Sequence, residues 1–362
     1  MTKMAVLQEV GGPVEILDLD LPDLGPGDVR VRIAAAGICH SDLSFVNGTV
    51  VSHLPVVLGH EASGYIADTG DDVVGLDVGQ PVVLNWAPPC RACWFCQNDE
   101  PWLCSTVEKA GTSTPHTTLG DGRAVHRAMG VGAFAEEVVL PANAVVPVPE
   151  GVDMAHAALL GCAVLTGVGA ATNTAKVAEG ESVLVVGLGG IGLSAVMGAK
   201  LVGASTIIAA DVTEAKRDFA LSMGATDFVL SSDWLHKDVR ALTNGRGVDH
   251  AIECVGRSVT MKAAYKSTRR GGACTIVGVG RKDDELSLSA MEIFHFNRSL
   301  RSSVFGSSDP ARDVPLMVDR INDGTVDLEP MISHRISLDG LADGFERMGH
   351  AEGARSVIIM DA

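Results

Sequence analysis

Hydrophobic positions change rhythm near Glu150. Before it the apolar runs are short. VRVRIAA (29–35) alternates, VVGLDVGQPVVL (73–84) holds a turn followed by a β-branched run, and FAEEVVLP (134–141) contains a short apolar run that stops at proline. Turn-forming GGP (11–13) and GPGD (25–28) punctuate them, which predicts a β-rich half. After it, Asp153 to Ala175 carries few breakers and predicts a helix. Strand and helix patterns then alternate: SVLVVG (182–187), IGLSAVMGAKLVG (191–203), STIIAAD (205–211), EAKRDFALSMG (214–224), DFVLS (227–231), VDHAIECVG (248–256) and GGACTIVGVG (271–280). That rhythm predicts right-handed βαβ crossovers and a mainly parallel sheet. The tail from about Phe305 is too short for a domain and is expected to pack back on the first half.

Composition narrows the class. The 362 residues are 46% hydrophobic and suit about two domains. The 28 basic and 45 acidic residues give a net charge of −17 without any Lys/Arg-rich run, which argues against a nucleic-acid partner. Met154–Ala175 and Ser182–Ala199 lack charge over a membrane-spanning length, yet their Gly, Ala, Ser and Thr content reads as buried core. With no apolar signal segment in the first twenty residues, a cytoplasmic setting is expected. There, clustered cysteines bind metal more often than they form disulfides.

Cys90-x2-Cys93-x2-Cys96-x7-Cys104 has the ligand count and softness of a closed tetrahedral zinc site, which stabilises a lobe without catalysing. Cys39 in GICHSD, His60 in GHE and Cys162 in GCAVLTG would leave a fourth position open, as catalytic zinc requires. Spacing alone does not join these three. Each could be a small buried hydrophobe or a satisfied histidine. Gly187-Leu-Gly189-Gly190-Ile191-Gly192 follows a β-run and opens a helix, with Asp211 ending the next strand. This is the context of a dinucleotide fingerprint, whose glycines let the backbone approach a pyrophosphate. An acidic Asp211 favours NAD over NADP.

Together these motifs, with the terminal ARSVIIM, resemble the zinc-dependent alcohol dehydrogenases of the medium-chain dehydrogenase/reductase family, nearest its liver-type branch. The resemblance implies an α/β fold, a doubly wound Rossmann sheet plus a β-rich GroES-like catalytic domain. The catalytic domain would take 1–163 with 305–362, and the dinucleotide domain 164–304. It implies Cys39, His60 and Cys162 as catalytic zinc ligands, Glu61 as an alternative ligand, and Asp42 orienting His60. Ser41 would take the alcohol proton. Cys90, Cys93, Cys96 and Cys104 would hold structural zinc, so each chain would carry two zinc ions and NAD. Lys216 would touch the coenzyme ribose, Arg355 and His40 its pyrophosphate, and Thr166, Ile191 and Val279 the nicotinamide. Cys254 and Cys274 match no ligand and are expected in strand cores.

Two positions depart from the liver-type pattern. His40 replaces a frequent arginine, and Ser44 stands where a histidine ends the proton relay, leaving coenzyme ribose and water as the exit. Val50 and Glu108 replace the groups that recognise a charged glutathione adduct. Trp86, Val50 and Phe134 suggest an apolar substrate pocket. The expected reaction is oxidation of uncharged primary alcohols, aromatic or medium-chain, to aldehydes, and the reverse. The alternatives are a polyol or secondary-alcohol dehydrogenase and a non-catalytic NAD-binding protein. The Cys104–Phe134 stretch is about as long as in dimeric liver-type relatives, so the resemblance implies a homodimer, with a tetramer as the other family form.

Overall fold

The computed structural model describes residues 1–50, 52–107 and 115–360. In chain order the strands are β1 (Thr2–Leu7), β2 (Val14–Leu19), β3 (Asp28–Gly37), β4 (Val56–Val57), β5 (Glu61–Thr69), β6 (Pro81–Leu84), β7 (Thr117–Thr118), β8 (Ala124–Arg127), β9 (Glu137–Pro141) and β10 (Val145–Pro147). Next come β11 (Ser182–Val186), β12 (Thr206–Asp211), β13 (Asp227–Leu230), β14 (Val248–Glu253), β15 (Thr268–Ile276) and β16 (Ser299–Ser302). The chain ends with β17 (Ile332–Ile336) and β18 (Arg355–Ile359).

Two units result. One comprises Met1–Ala163 with Asp309–Ala362, the other Val164–Ser308. The first unit holds a sheet ordered β2-β1-β4-β8-β7 and another ordered β10-β6-β5-β3-β18-β17. β3 pairs along one edge with β5. Its other edge is shared, Asp28–Arg32 with β9 and Ala35–Gly37 with β18. Thus the C-terminal segment completes the sheet that carries the first half. The alternating polar and apolar residues of β3 bury one side in a core that includes Val29, Val31, Ile33, Phe134 and Leu140.

The second unit is one parallel sheet ordered β13-β12-β11-β14-β15-β16. Its strand order reverses between β11 and β14, the position where a doubly wound sheet opens a crevice at its carboxyl edge. All five residues of β11 are buried, as expected of a parallel strand covered on both faces.

The helix expected over 153–175 is broken. Asp153 caps Met154–Leu160 by accepting the Ala155 and His156 N–H groups. Helix resumes at Ala163–Gly169 and widens into a π-type segment, Ala170–Ala175. The break falls at Gly161, the C-cap of the first helix, where a Cβ would lie 2.8 Å from the Leu84 carbonyl oxygen, so only glycine fits. The second uncharged stretch is strand, turn and helix. Among the described residues, no single helix is long and apolar enough to cross a membrane.

Candidate active site

β3 delivers Cys39 to the start of a short helix, His40–Val46. Asp42, in the first turn, accepts the Cys39 N–H at 2.9 Å, the Gly59 N–H at 3.1 Å and the Nδ1 edge of His60 at 3.2 Å. Gly59 has φ +92°, and a Cβ there would sit 2.5 Å from the Phe134 ring, so glycine is required to turn the chain into His60. Cys162 occupies the helix break. All three side chains are buried, and their ligand atoms lie within 4.8 Å of one another.

These residues fit a zinc ion. Tetrahedral Zn–S bonds of about 2.3 Å place ligand atoms about 3.8 Å apart, within the observed spread. His60 Nε2 is buried without a hydrogen-bond partner, whereas Nδ1 is held by Asp42. An orphaned buried nitrogen costs free energy unless something binds it. The thiols are polarised as well. The Cys162 thiol, backed by Arg355 and His60, holds Cys39 well below its usual range despite burial, while Cys162 is pushed up. Burial works against a charged His60, but Asp42 and then Cys39 outweigh it and hold the imidazole well above its usual value.

Glu61 lies beside this set, but the structure gives it another duty from the one expected. Its carboxylate accepts Arg355 Nε at 3.0 Å, Arg355 Nη2 at 2.8 Å and the Ala163 N–H at 2.8 Å. A Cβ on Gly37 would fall 2.1 Å from Oε1, so the backbone closes over the pair. As arranged, Glu61 is an ion-pair partner outside the ligand cluster. Burial raises its carboxyl against the pull of Arg355. Arg355, expected at a pyrophosphate, is 6% exposed and has two nitrogens committed to Glu61. No local pattern announces this pairing, because the partners are 294 positions apart.

Cys90, Cys93, Cys96 and Cys104 form the second cluster, again with ligand atoms within 4.8 Å. The Cys93 and Cys104 sulfurs are 3.8 Å apart, the separation tetrahedral zinc imposes. Backbone N–H groups of Cys90 and Cys93 point at the sulfurs of Cys104 and Cys90. The backbone thus supplies the donors that metal thiolates take.

Of the remaining first-unit residues, Ser41 places Oγ 3.8 Å from Cys39 Sγ. Ser44 donates to the His40 carbonyl and so turns its hydroxyl into the helix. His40 is exposed at the helix start. Val50 and Trp86 are partly buried and pack on the core edge. Phe134 corrects the expected pocket: it is 0% exposed, packed under Gly59, and offers a substrate no surface. Glu108 lies outside the described residues.

In the second unit, β11 ends at Gly187, whose φ of +89° turns the chain into the helix Gly190–Leu201. A Cβ on Gly192 would lie 1.8 Å from the Gly187 carbonyl oxygen, whereas one on Gly189 would meet open space. The first glycines shape the turn, and Gly189 leaves room for a diphosphate at a helix N-terminus. Asp211 Oδ2 accepts the Leu188 N–H at 2.8 Å, which ties the acidic residue to the turn. Lys216 is buried, and burial lowers its pKa against the Asp211 charge. Thr166 is buried, Ile191 half-buried and Val279 73% exposed at the sheet's carboxyl edge. Cys274 is a strand-core residue, while Cys254 stands partly exposed just beyond β14.

Residues 25–150 match the alcohol dehydrogenase GroES-like domain, and 190–323 match the zinc-binding dehydrogenase domain. Relatives named S-(hydroxymethyl)glutathione dehydrogenase, from Escherichia coli and Shigella sonnei, are 35% identical over 366 positions, covering 99% of both chains. The solved benzyl alcohol dehydrogenase of Acinetobacter calcoaceticus superposes with a TM-score of 0.92 at 26% identity, covering 99% of each chain. An alcohol dehydrogenase from Aeropyrum pernix gives 0.84 at 31% identity, again over 99% of each. Likeness that runs end to end and through both domains settles the family: the chain belongs to the zinc-dependent alcohol dehydrogenases of the medium-chain dehydrogenase/reductase family, enzymes that oxidise alcohols with zinc and NAD.

Proposed function

We propose that the chain acts on uncharged primary alcohols, aromatic or medium-chain, and on the corresponding aldehydes. The observation that carries this reading is the buried Cys39–His60–Cys162 set with its orphaned imidazole nitrogen and the Ser41 hydroxyl alongside. When bound, zinc supplies Lewis acidity that lowers an alcohol's pKa, and NAD supplies the two-electron acceptor. Cys39, His60 and Cys162 would hold the metal, three protein ligands as in a catalytic zinc site. Asp42 fixes which imidazole nitrogen faces it. Ser41 Oγ receives the alcohol proton and passes it toward solvent. Ser44, bonded to the His40 carbonyl, is not a relay base.

Val50 and Trp86 give the substrate a largely apolar wall, and neither carries a cationic group to pair with a carboxylate. This favours a small uncharged alcohol over the adduct named for the curated relatives. NADH formation by zinc-replete protein with benzyl alcohol, butan-2-ol and S-(hydroxymethyl)glutathione tests the reading. Turnover chiefly on benzyl alcohol is expected. Preference for butan-2-ol would move the chain to the secondary-alcohol dehydrogenases, and preference for the glutathione adduct would overturn the apolar-pocket argument.

We further read the chain as a cytoplasmic homodimer joined through β16. That strand forms one edge of its sheet with all four residues exposed, next to a helix, Ala290–Phe296, that exposes Met291 at 72% and Phe294 at 85%. An unpaired edge beside apolar surface, though only four residues long, invites a second strand.

A further inference from the structure

Among the described residues, the chemistry above leaves one fully buried carboxylate without a task. Glu253 closes β14 at the point where the strand order reverses, and it is 0% exposed. Its Oε1 accepts the Val255 N–H at 2.9 Å, the Gly256 N–H at 2.9 Å and the Thr260 hydroxyl at 2.7 Å. Oε2 is buried without a hydrogen-bond partner. The backbone carbonyl of the same residue accepts N–H groups from Val277 at 2.8 Å and Gly278 at 3.1 Å.

The loop that Glu253 holds is wedged between two others. On one side, a Cβ on Gly187 would meet the Val255 side chain at 2.4 Å. On the other, a Cβ on Gly278 would lie 2.1 Å from the Gly256 nitrogen, and one on Gly256 2.5 Å from the Val279 carbonyl oxygen. The three segments approach so closely at these glycines that no side chain fits between them, so a displacement of 254–256 presses on the GLGGIG turn, the 277–280 segment, or both.

We propose that Glu253 is a positioning residue for coenzyme binding, its carboxylate fixing the 254–256 loop as the spacer that sets the GLGGIG turn against the Val277–Gly280 segment. The proposal rests on GLGGIG being the coenzyme's diphosphate turn. The carboxyl suits the task because three donors converge on one oxygen, which ties the Val255 and Gly256 N–H groups and the Thr260 hydroxyl to a single atom.

The test is NADH binding by fluorescence titration in the zinc-replete holoprotein, alongside Tm and zinc content. Glu253→Ala is expected to weaken NADH binding by roughly tenfold or more, with both zinc ions retained. Glu253→Gln keeps the accepting oxygen, places its amide at the unpartnered position, and is expected to restore Kd to within about threefold of wild type. Thr260→Val removes one donor of three, is expected to raise Kd about threefold, and decides the matter if Glu253→Ala fails to fold. A folded Glu253→Ala or Thr260→Val chain with lowered Tm and wild-type Kd would overturn the proposal, since a purely structural role predicts that pattern. A wild-type chain that bound no NADH would overturn the coenzyme reading beneath it as well.

Discussion

Three hydrogen bonds converge on Asp42, and through them one carboxylate orders the metal-facing atoms of two ligands. Asp42→Ala is therefore expected to weaken zinc retention at the catalytic site by about 10–100-fold, measured by competition with a chelator, with the four-cysteine site unaffected. Glu61 and Arg355 make a buried pair whose members are worth little apart. Glu61→Gln strands a buried guanidinium and is expected to cost about 3 kcal/mol in denaturant unfolding. His116 sets a pH dependence of its own. Burial, helped by Arg127, pushes its imidazole down to about 3. The unfolded chain takes the proton at about pH 6.5, so the folded state loses stability as pH falls below that value toward about 3. At about pH 5 the loss is about 2 kcal/mol, and His116→Phe should remove it from the difference between the two stability–pH curves. Such residue-level duties were legible only where partners are neighbours. The four-cysteine cluster is spelled out within fifteen positions, whereas Cys39, His60 and Cys162 needed the family resemblance to be joined. The Glu61–Arg355 pair had no sequence signal at all. Phe134 was placed at the pocket by the family resemblance alone, which does not show that the side chain is packed away under Gly59.

At the scale of elements, strand–turn–helix units reveal themselves through unbroken apolar strands and glycine. The strongest case is β11 with its turn, where Gly192 faces the Gly187 carbonyl so closely that no side chain fits. Gly192→Ala is expected to open the turn and weaken NADH binding at least about tenfold, read by fluorescence titration, while zinc content stays at wild-type level. The break after Leu160 falls at a residue that was in plain sight: Gly161 caps the first helix, glycine is a poor helix former, and the Leu84 carbonyl on β6 lies where its side chain would be. The break is what brings Cys162 to the ligand cluster. β16 and the helix before it escaped the sequence reading, because an exposed strand beside an exposed apolar helix shows neither the alternation nor the amphipathic stripe of a packed element.

Across the whole molecule the change of rhythm near Glu150 announced a β-rich half and a parallel α/β unit, and the structure has both. The exposed β16 edge gives the larger-scale prediction. For the dimer proposed above, Phe294→Asp with Met291→Asp is expected to shift the mass in solution from dimer to monomer by light scattering, while each chain keeps both zinc ions. An unchanged dimer would place the interface elsewhere. The closing of the first sheet by β18 has a consequence for synthesis on the ribosome. The second unit is one continuous stretch, complete once Ser308 has emerged. The first unit waits for the last few residues: until β18 arrives, the last residues of β3 lack their partner and the Glu61 carboxylate lacks its guanidinium. A nascent chain thus finishes its middle before its beginning, and a message truncated shortly before Arg355 would yield a coenzyme-binding unit tethered to an unfinished metal site.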